Sequence, residues 1–357
     1  MTTDTSLDRY GEFEQVAHFR DDTNGLDGLI AIHSTVLGPA LGGVRFRRYR
    51  SGFEARNDAL RLARGMTYKA AVAGLDLGGG KAVIDGDPGS VDRVALFRAF
   101  GEAVESLGGR YITAEDVGTT VEDMVTVATE TGHVVGLPES KGGLGDPSPS
   151  TALGVLASLK AALAFLDGGS TLVGRTIAVC GLGKVGAVLV RMLVEEGAAV
   201  AVADVDGERV TALADQLGVK AVEVEDIHRI SADVFAPCAL GGILTSNLIR
   251  ELDVQAVVGA ANNQLATPSS ADLLAGRGIA YVPDFVANAG GLIHVAWEAK
   301  ASLADVQTKV LELGDRVTDL LTQAAEAGIS TQAAAEKVAE ARIQARLDAR
   351  SQLGATR

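Results

Sequence analysis

The most constraining feature of the sequence is a glycine pattern between an apolar run and a helical segment. Residues 177–180 are continuously apolar, as a parallel strand covered on both faces requires. The letters G-L-G-K-V-G follow at 181–186, and a segment with helical spacing follows at 187–196. A second apolar run at 199–203 ends at Asp204. Strand, glycine turn, helix, strand and acid in this order predict an α/β fold with a doubly wound parallel sheet that binds a dinucleotide.

Each residue of this pattern has an expected task. Gly181 makes the tight turn, Gly183 lets the backbone approach a pyrophosphate, and Gly186 allows close packing of the helix. The amino end of the helix favours the negative phosphates. Asp204 would accept hydrogen bonds from ribose hydroxyls, whereas a 2′-phosphate would be repelled by Asp204 and Asp206 together. We therefore expect NAD rather than NADP, and a purely structural glycine turn is the alternative.

A second glycine pattern, G-G-G-K at 78–81, leads directly to a lysine. We interpret it as a loop that lets a ligand approach the backbone and in which partial desolvation lowers the proton affinity of Lys81. Lys69 follows segment 53–67, whose apolar residues have helical spacing, so we place it just past a helix end. Two ammonium groups in one cleft would lower each other's pKa, and one could hold a carboxylate while the other acts as a base. A glycine-rich turn with a solvated lysine is the alternative.

Three further polar residues follow predicted strands. Asp116 ends the strand that begins at Tyr111, Asn262 follows the apolar run 256–258, and Asn288 lies in a similar position. The ligand-facing loops of a doubly wound sheet lie at such strand ends, although each residue alone could be a cap or a turn residue. The histidines and cysteines have no metal-ligand spacing, so we predict no metal site.

Composition limits the class of protein. The 357 residues suggest two domains, and a formal charge of −14 argues against nucleic-acid binding. Cys180 and Cys238 lie in apolar runs, which indicates buried thiols in a reducing compartment. No run of apolar residues is long enough for a membrane span, and the polar residues 1–12 do not form a secretion signal. We expect a cytoplasmic protein without membrane contact.

The irregular segment 136–149 is the predicted domain boundary. We expect a first domain at 1–135 that binds substrate and forms the oligomer, and an NAD-binding Rossmann domain at 136–328. A cleft should lie between them, and the helix at 329–357 should pack back on the first domain. Alanine-rich helices and an acidic surface suggest a homo-oligomer.

The motifs together resemble the amino-acid dehydrogenase family of glutamate, leucine, valine and phenylalanine dehydrogenases, nearest the valine, leucine and phenylalanine branch. They occur in order over most of the chain. They are G-P-A-L-G-G at 38–43, M-T-Y-K at 66–69, G-G-G-K at 78–81, T-A-E-D-V-G-T at 113–119, G-L-G-K-V-G at 181–186, A-P-C-A-L-G-G at 236–242, G-A-A-N-N-Q-L at 259–265 and N-A-G-G at 288–291. One departure is Pro147, where relatives tend to have serine.

The resemblance implies roles for individual residues. Lys81 would be the catalytic base, Asp116 would relay protons and hold the amine, and Lys69 would bind the substrate carboxylate. Substrate contacts are also implied for Gly42 and Asn262. The implied cofactor contacts are Arg45, Thr151, Gly181, Leu182, Gly183, Lys184, Val185, Gly186, Asp204, Arg209, Ala239, Leu240, Asn262 and Asn288.

The resemblance also implies the reaction and the substrate class. The reaction is the reversible oxidative deamination of an L-amino acid to the 2-oxo acid, ammonia and NADH. The implied pocket walls Leu41, Ala114, Leu292 and Val295 are apolar, so a side-chain carboxylate of glutamate would be buried without a partner. Ala114 favours valine or leucine, whereas Leu292 occurs in some phenylalanine enzymes. Phenylalanine is therefore the alternative substrate, and a non-catalytic NAD-binding regulator is the alternative function.

Overall fold

The computed structural model describes residues 2–5, 12–298 and 300–355, and it divides into two compact units. Unit 1 comprises Met1–Asp146, Val295–Lys300 and Ala339–Arg357, and unit 2 comprises Pro147–His294 and Ala301–Val338. The segments 1–12 and 329–357 discussed above lie partly outside the described residues.

The boundary between the units lies after Asp146, later than the expected position at 135/136. Hydrogen bonding explains why the intervening segment belongs to unit 1. The backbone N–H of Gly136 donates to the carboxylate of Glu298 at 2.8 Å, and Glu298 is itself a residue of unit 1.

Unit 1 is built on one mixed sheet of six strands in the order β1-β2-β3-β5-β4-β6. The pairs β1–β2, β2–β3 and β3–β5 are antiparallel. The pairs β5–β4 and β4–β6 are parallel. The elements are β1 (Thr2–Thr5), β2 (Gln15–Asp21), β3 (Leu26–Ser34), β4 (Ala40–Arg47), α1 (Gly52–Val72), β5 (Gly78–Asp85), α2 (Arg93–Glu105), β6 (Tyr111–Glu115) and α3 (Val121–Val127).

The glycines at 78–80 lie inside strand β5, so the loop that we predicted for them does not form. A Cβ atom on Gly79 would lie 2.0 Å from the backbone N of Thr67 in α1, and one on Gly78 would lie 1.8 Å from the carbonyl oxygen of Ser34. A Cβ on Gly80 would lie 2.7 Å from the ring of Tyr111. The three glycines therefore allow helix α1, the neighbouring strand β3 and the ring of Tyr111 on β6 to pack closely against β5.

Helix α1 is longer than expected. It begins after the N-cap Ser51, whose hydroxyl accepts from the Glu54 N–H, and it continues to Val72. Lys69 therefore lies in the last turn of α1 and not past its end. The pattern of buried residues continues through Ala70 and Ala71, so packing against the sheet extends the helix beyond the segment that the sequence indicated.

Unit 2 contains the predicted doubly wound sheet, and this prediction is confirmed. Its strands all pair parallel in the order β12-β11-β10-β7-β8-β9, with the order reversing at β7. The elements are α4 (Ser148–Asp167), β7 (Thr176–Cys180), α5 (Lys184–Glu195), β8 (Ala199–Ala203), α6 (Gly207–Leu217), β9 (Lys220–Ala221), β10 (Val234–Pro237), α7 (Ser246–Glu251), β11 (Ala256–Val257), α8 (Ser269–Gly276), β12 (Ala280–Tyr281), α9 (Asp284–Ala287), α10 (Gly290–Trp297), α11 (Leu303–Leu311) and α12 (Leu313–Ala327).

Among the described residues one helix, α4, is long and apolar enough to cross a bilayer by length and composition. Within unit 2 its residues Val155, Leu159 and Leu163 are fully buried, and it packs against α5, α11 and α12. A core helix meets the same criterion, so its apolar character is explained by this packing.

The last helix, α13 (Thr331–Ala355), continues into unit 1 from Ala339 onward. The guanidinium of Arg342 donates to the carbonyl oxygen of Ala71 at 2.9 Å and to Asp76 at 3.0 Å, and the hydroxyl of Tyr68 donates to Glu340. These bonds join α13 to the end of α1, where Lys69 lies.

Gly79→Ala should destabilise unit 1, because its new methyl group would overlap the backbone of α1. We expect a loss of about 1–3 kcal/mol or more in the free energy of unfolding, measured by urea titration. Gly65→Ala is the matched control. Its Cβ meets no atom within 4 Å, and alanine in a helix should add up to about 1 kcal/mol. Equal stability of the two variants would contradict the packing role of Gly79.

Candidate functional site

Two predicted catalytic residues meet on unit 1. The Nζ atom of Lys81 on β5 lies 2.9 Å from Oδ2 of Asp116, which directly follows β6. Lys81 is 5% exposed, and the side chain of Asp116 is 23% exposed. The sequence predicted both residues but could not show that they form an ion pair, since β4 separates their strands in the sheet.

The backbone around Asp116 holds its carboxylate in place. The N–H of Asp116 donates to the hydroxyl of Thr119 at 2.9 Å, and this hydroxyl is also 3.1 Å from the carbonyl oxygen of Val44. A Cβ on Gly43 would lie 2.9 Å from the Cβ of Asp116, so only glycine fits there. Thr119 is a site residue that sequence reasoning did not identify, since nothing local distinguishes it from a turn threonine.

A second cation binds the same carboxylate oxygen. The Nε of Arg45 on β4 donates to Asp116 Oδ2 at 2.9 Å, and its Nη1 donates to Oδ2 of Asp58 at 2.9 Å. The resemblance placed Arg45 near the cofactor. In unit 1 its guanidinium lies between two carboxylates, and one of them, Asp58, was not predicted.

These charges and their burial set the proton affinities. Burial lowers the pKa of Lys81, and the neighbouring Asp116 carboxylate partly opposes this effect, whereas the guanidinium of Arg45 adds to it. Burial alone would raise the pKa of Asp116, but the charges of Lys81 and Arg45 outweigh it and lower the pKa to about 2. Asp116 is therefore ionised near neutral pH, and Lys81 gives up its proton more readily than an exposed lysine.

The other predicted residues of unit 1 lie on strands β4 and β6 and on helices α1 and α10. Leu41 on β4 and Ala114 on β6 are buried, at 3% and 9% exposure, and Val295 is similarly buried. Lys69 is half-buried in the last turn of α1. Gly42 packs against β5, because a Cβ there would lie 1.7 Å from the carbonyl oxygen of Gly80.

The glycine turn of unit 2 has the geometry of a phosphate cradle. Gly181 has φ +107°, and a Cβ on Gly186 would lie 2.0 Å from its carbonyl oxygen, so the strand and α5 can meet only through glycines. Gly183 caps α5 without a side-chain hydrogen bond, and a Cβ there would meet no atom within 4 Å. The N–H groups of the first turn of α5 therefore receive no capping side chain, as a phosphate site at a helix N-terminus requires.

Asp204 lies at the end of β8 beside this turn. Its Oδ2 accepts from the N–H of Leu182 at 2.5 Å, and its Oδ1 accepts from the N–H of Asp206 at 2.9 Å. An ionised carboxylate can accept more hydrogen bonds than these, so Asp204 suits a ribose hydroxyl. Arg209 pairs with Asp206 at 3.2 Å on the same side of the sheet.

Two asparagines form a second polar group in unit 2. The Nδ2 of Asn288 donates to Oδ1 of Asn262 at 2.8 Å and to the carbonyl oxygen of Ala260 at 3.0 Å. Asn288 is 4% exposed, yet its Oδ1 has no hydrogen-bond donor among the described residues. A buried amide oxygen without a donor fits a ligand that supplies one, such as the carboxamide or ribose of NAD.

The remaining predicted cofactor residues lie on unit 2 as follows. Ala239 and Leu240 are exposed after β10, and a Cβ on Gly181 would lie 2.6 Å from the Cβ of Ala239. Thr151 in α4 donates to the carbonyl oxygen of Pro147 at 3.1 Å. Lys184 is exposed and Val185 half-buried in the first turn of α5, and Leu292 is buried in α10.

Comparison with known proteins identifies the group to which the chain belongs. Residues 13–133 match the family described as Glu/Leu/Phe/Val dehydrogenase, dimerisation domain, and residues 207–352 match Glutamate/Leucine/Phenylalanine/Valine dehydrogenase. The chain is 47% identical to a leucine dehydrogenase of Geobacillus stearothermophilus, over 95% of this chain and 93% of the relative. It is also 47% identical to a phenylalanine dehydrogenase of Caldalkalibacillus thermarum, over 97% and 95% of the two chains.

A solved structure agrees with the sequence relatives. The L-tryptophan dehydrogenase from Nostoc punctiforme superposes with a TM-score of 0.85 at 40% identity, and the match covers 95% of this chain and 98% of that one. These matches confirm the resemblance read from the motifs, and the residues of unit 2 fit the expected NAD. The chain belongs to the glutamate, leucine, phenylalanine and valine dehydrogenase family and is an NAD-dependent amino-acid dehydrogenase.

Proposed function

We propose that the protein catalyses the reversible oxidative deamination of an apolar L-amino acid of the valine or leucine type. The products are the 2-oxo acid, ammonia and NADH. The observation that carries this proposal is the buried pair of Lys81 Nζ and Asp116 Oδ2 at 2.9 Å, which lies among strands that also present Leu41 and Ala114.

The residues of unit 1 suit the proton transfers of this reaction. When bound, NAD accepts a hydride from the α-carbon, which leaves an iminium group that water must attack. Lys81, when neutral, takes a proton from this water, and its lowered pKa makes the neutral form easier to reach than for an exposed lysine. The ionised Asp116 stabilises the positive charge on the substrate nitrogen. We assign to Lys69 the role of binding the substrate carboxylate.

Apolar neighbours support an apolar substrate. Leu41, Ala114 and Val295 are all residues of unit 1, all buried, and none offers a polar atom to a side-chain carboxylate. Glutamate bound against them would bury a charge without a partner, which is costly. Leucine and phenylalanine dehydrogenases match the chain at the same 47% identity, so the preference for a branched side chain rests on Ala114.

We also infer that the protein is a homo-oligomer that associates through residues 13–133, which match a dimerisation domain. The acidic charge of −14 supports the expectation that it binds no nucleic acid. The cytoplasmic location predicted from the sequence remains a proposal.

Lys81→Met should abolish turnover, because methionine keeps the length of the side chain but cannot exchange a proton. We expect kcat to fall by about 10²–10⁴-fold, measured by NADH formation from leucine. The Kd for NADH, measured by fluorescence, should change less than twofold, because the proposed NAD residues lie on unit 2. Lys160→Met is the matched control, since Lys160 forms an exposed ion pair with Glu196. A kcat within fivefold of wild type would rule out Lys81 as the base.

Asp204→Ala should weaken NAD binding and reduce the discrimination against NADP. A hydrogen bond to a charged group is worth about 1.5–3 kcal/mol, so we expect the KM for NAD to rise about 10–100-fold. The KM for NADP should rise less, because the repulsion of a 2′-phosphate is also removed. Asp215→Ala, at an exposed position of α6, is the control. An unchanged ratio of the two KM values would exclude Asp204 from the ribose site.

Ala114→Gly should admit a larger side chain. One carbon in an apolar pocket is worth about 1–3 kcal/mol, so the phenylalanine-to-valine ratio of kcat/KM should rise about tenfold or more. Ala17→Gly makes the same change at a buried position of β2 and should leave the ratio unchanged. A wild-type enzyme that already prefers phenylalanine would refute the assignment to valine or leucine.

A further inference from the structure

Asp58 is a half-buried residue in the second turn of α1, and neither the motifs nor the proposed reaction accounts for it. Its side chain is 10% exposed. Its Oδ2 accepts from Nη1 of Arg45 at 2.9 Å and from the hydroxyl of Tyr49 at 3.0 Å, and its Oδ1 accepts from Arg61 at 2.9 Å. A surface aspartate needs no such set of donors, so the bonds to Arg45 and Tyr49 call for an explanation.

Arg45 connects Asp58 to the reacting pair. The guanidinium is planar, so the positions of Nε and Nη1 are fixed relative to each other. Nη1 binds Asp58 and Nε binds Asp116, both at 2.9 Å. The orientation of Arg45 beside Asp116 therefore depends on Asp58.

Asp116 Oδ2 is shared between two cations. Lys81 Nζ and Arg45 Nε both lie 2.9 Å from this one oxygen. If Asp58 did not hold Nη1, Arg45 could turn so that its Nε–H and one Nη–H group both bind the Asp116 carboxylate, in the bidentate geometry that arginine favours. Lys81 would then compete with Arg45 for Asp116.

We propose that Asp58 is a positioning residue for the amino-acid dehydrogenase reaction: it holds Arg45 in a single bond to Asp116 and so keeps Asp116 Oδ2 available to Lys81 Nζ. This inference rests on the proposed role of Lys81 as the base. It concerns only residues of unit 1 and involves no contact of Asp58 with substrate or cofactor.

The charges around the group give the sign of the effect. The positive charges of Lys81 and Arg45 are matched by the negative charges of Asp116 and Asp58. Each carboxylate raises the pKa of Lys81, whereas Arg45 lowers it. Replacing Asp58 by asparagine removes a negative charge and releases Arg45 toward Asp116, so both effects should lower the pKa of Lys81. Removing Arg45 should raise it. The other charged or titratable groups on the elements packed around these four are His33, Arg47, Tyr49, Glu54, Arg61 and Lys69.

The experiment is a double-mutant cycle with Asp58→Asn, Arg45→Met and the combination. Two quantities are measured for each purified full-length protein. The first is the pH profile of kcat/KM for leucine. The second is the pKa of the Lys81 amine from its rate of acetylation by acetic anhydride at several pH values, quantified by mass spectrometry. The second measurement needs neither cofactor nor turnover.

We expect Asp58→Asn to shift the Lys81 pKa and the rising limb of the profile down by about 0.5 pH unit or more. Arg45→Met should shift both upward. In the Arg45→Met background, Asp58→Asn should shift the pKa by less than half of its effect in the wild type, because its action passes through Arg45. Asp58→Glu, which keeps the charge, should restore most of the wild-type profile.

The control for the loss of a negative charge is a variant at an exposed ion pair. Asp22→Asn removes a carboxylate from an exposed pair with Arg20 in the same unit and should leave both quantities unchanged. If Asp58→Asn lowers the stability of the protein but does not shift the pKa of Lys81, or if its shift is equally large without Arg45, the positioning role is refuted. If the wild type forms no NADH from any amino acid, the proposed function fails, whereas the acetylation data still decide the positioning role.

Discussion

The burial of the Lys81 ammonium is the constraint on which the rest of unit 1 depends. Removing a lysine from water costs several kcal/mol unless a carboxylate lies close by, and Asp116 lies 2.9 Å from it. Asp116 must stay ionised in the same partly buried place, and a second cation, Arg45, helps to hold it so. Arg45 is in turn balanced by Asp58. The site is thus a row of alternating positive and negative charges, in which each charge is stabilised by the opposite charge beside it.

The backbone of unit 1 is arranged around this chain of charges. Lys81 follows Gly78–Gly80 on β5, and these glycines allow α1 and β3 to pack closely against this strand. Helix α1 supplies both Asp58 in its second turn and Lys69 in its last turn. The packing of α1 on β5 therefore places three residues in the same unit. They are the proposed base Lys81, the carboxylate Asp58 and Lys69, which we propose binds the substrate carboxylate.

Local patterns predicted unit 2 well, because its key features depend on neighbours in sequence. The strand at 177–180, the glycines that follow it and Asp204 after the next strand all have the predicted places. The sequence predicted less of unit 1, because its key contacts join residues that are far apart in the chain. Gly78–Gly80 look like a loop until the backbone atoms that a Cβ would strike are known. Asp58 looks like an ordinary helical acid, since its partner Arg45 lies on a strand and only the tertiary fold brings them together.

Lys81 and Arg45 together keep the Asp116 carboxylate ionised in its partly buried position. A ¹³C NMR titration of the Asp116 carboxyl carbon in protein labelled at aspartate Cγ, with the resonance assigned by Asp116→Asn, measures this effect. The charges of Lys81 and Arg45 lower the pKa of this group to about 2, so its chemical shift should stay constant from pH 7 down to about 3. A titration centred at the ordinary aspartate pKa of about 3.9 or higher would show that Lys81 and Arg45 do not stabilise the ionised form of Asp116.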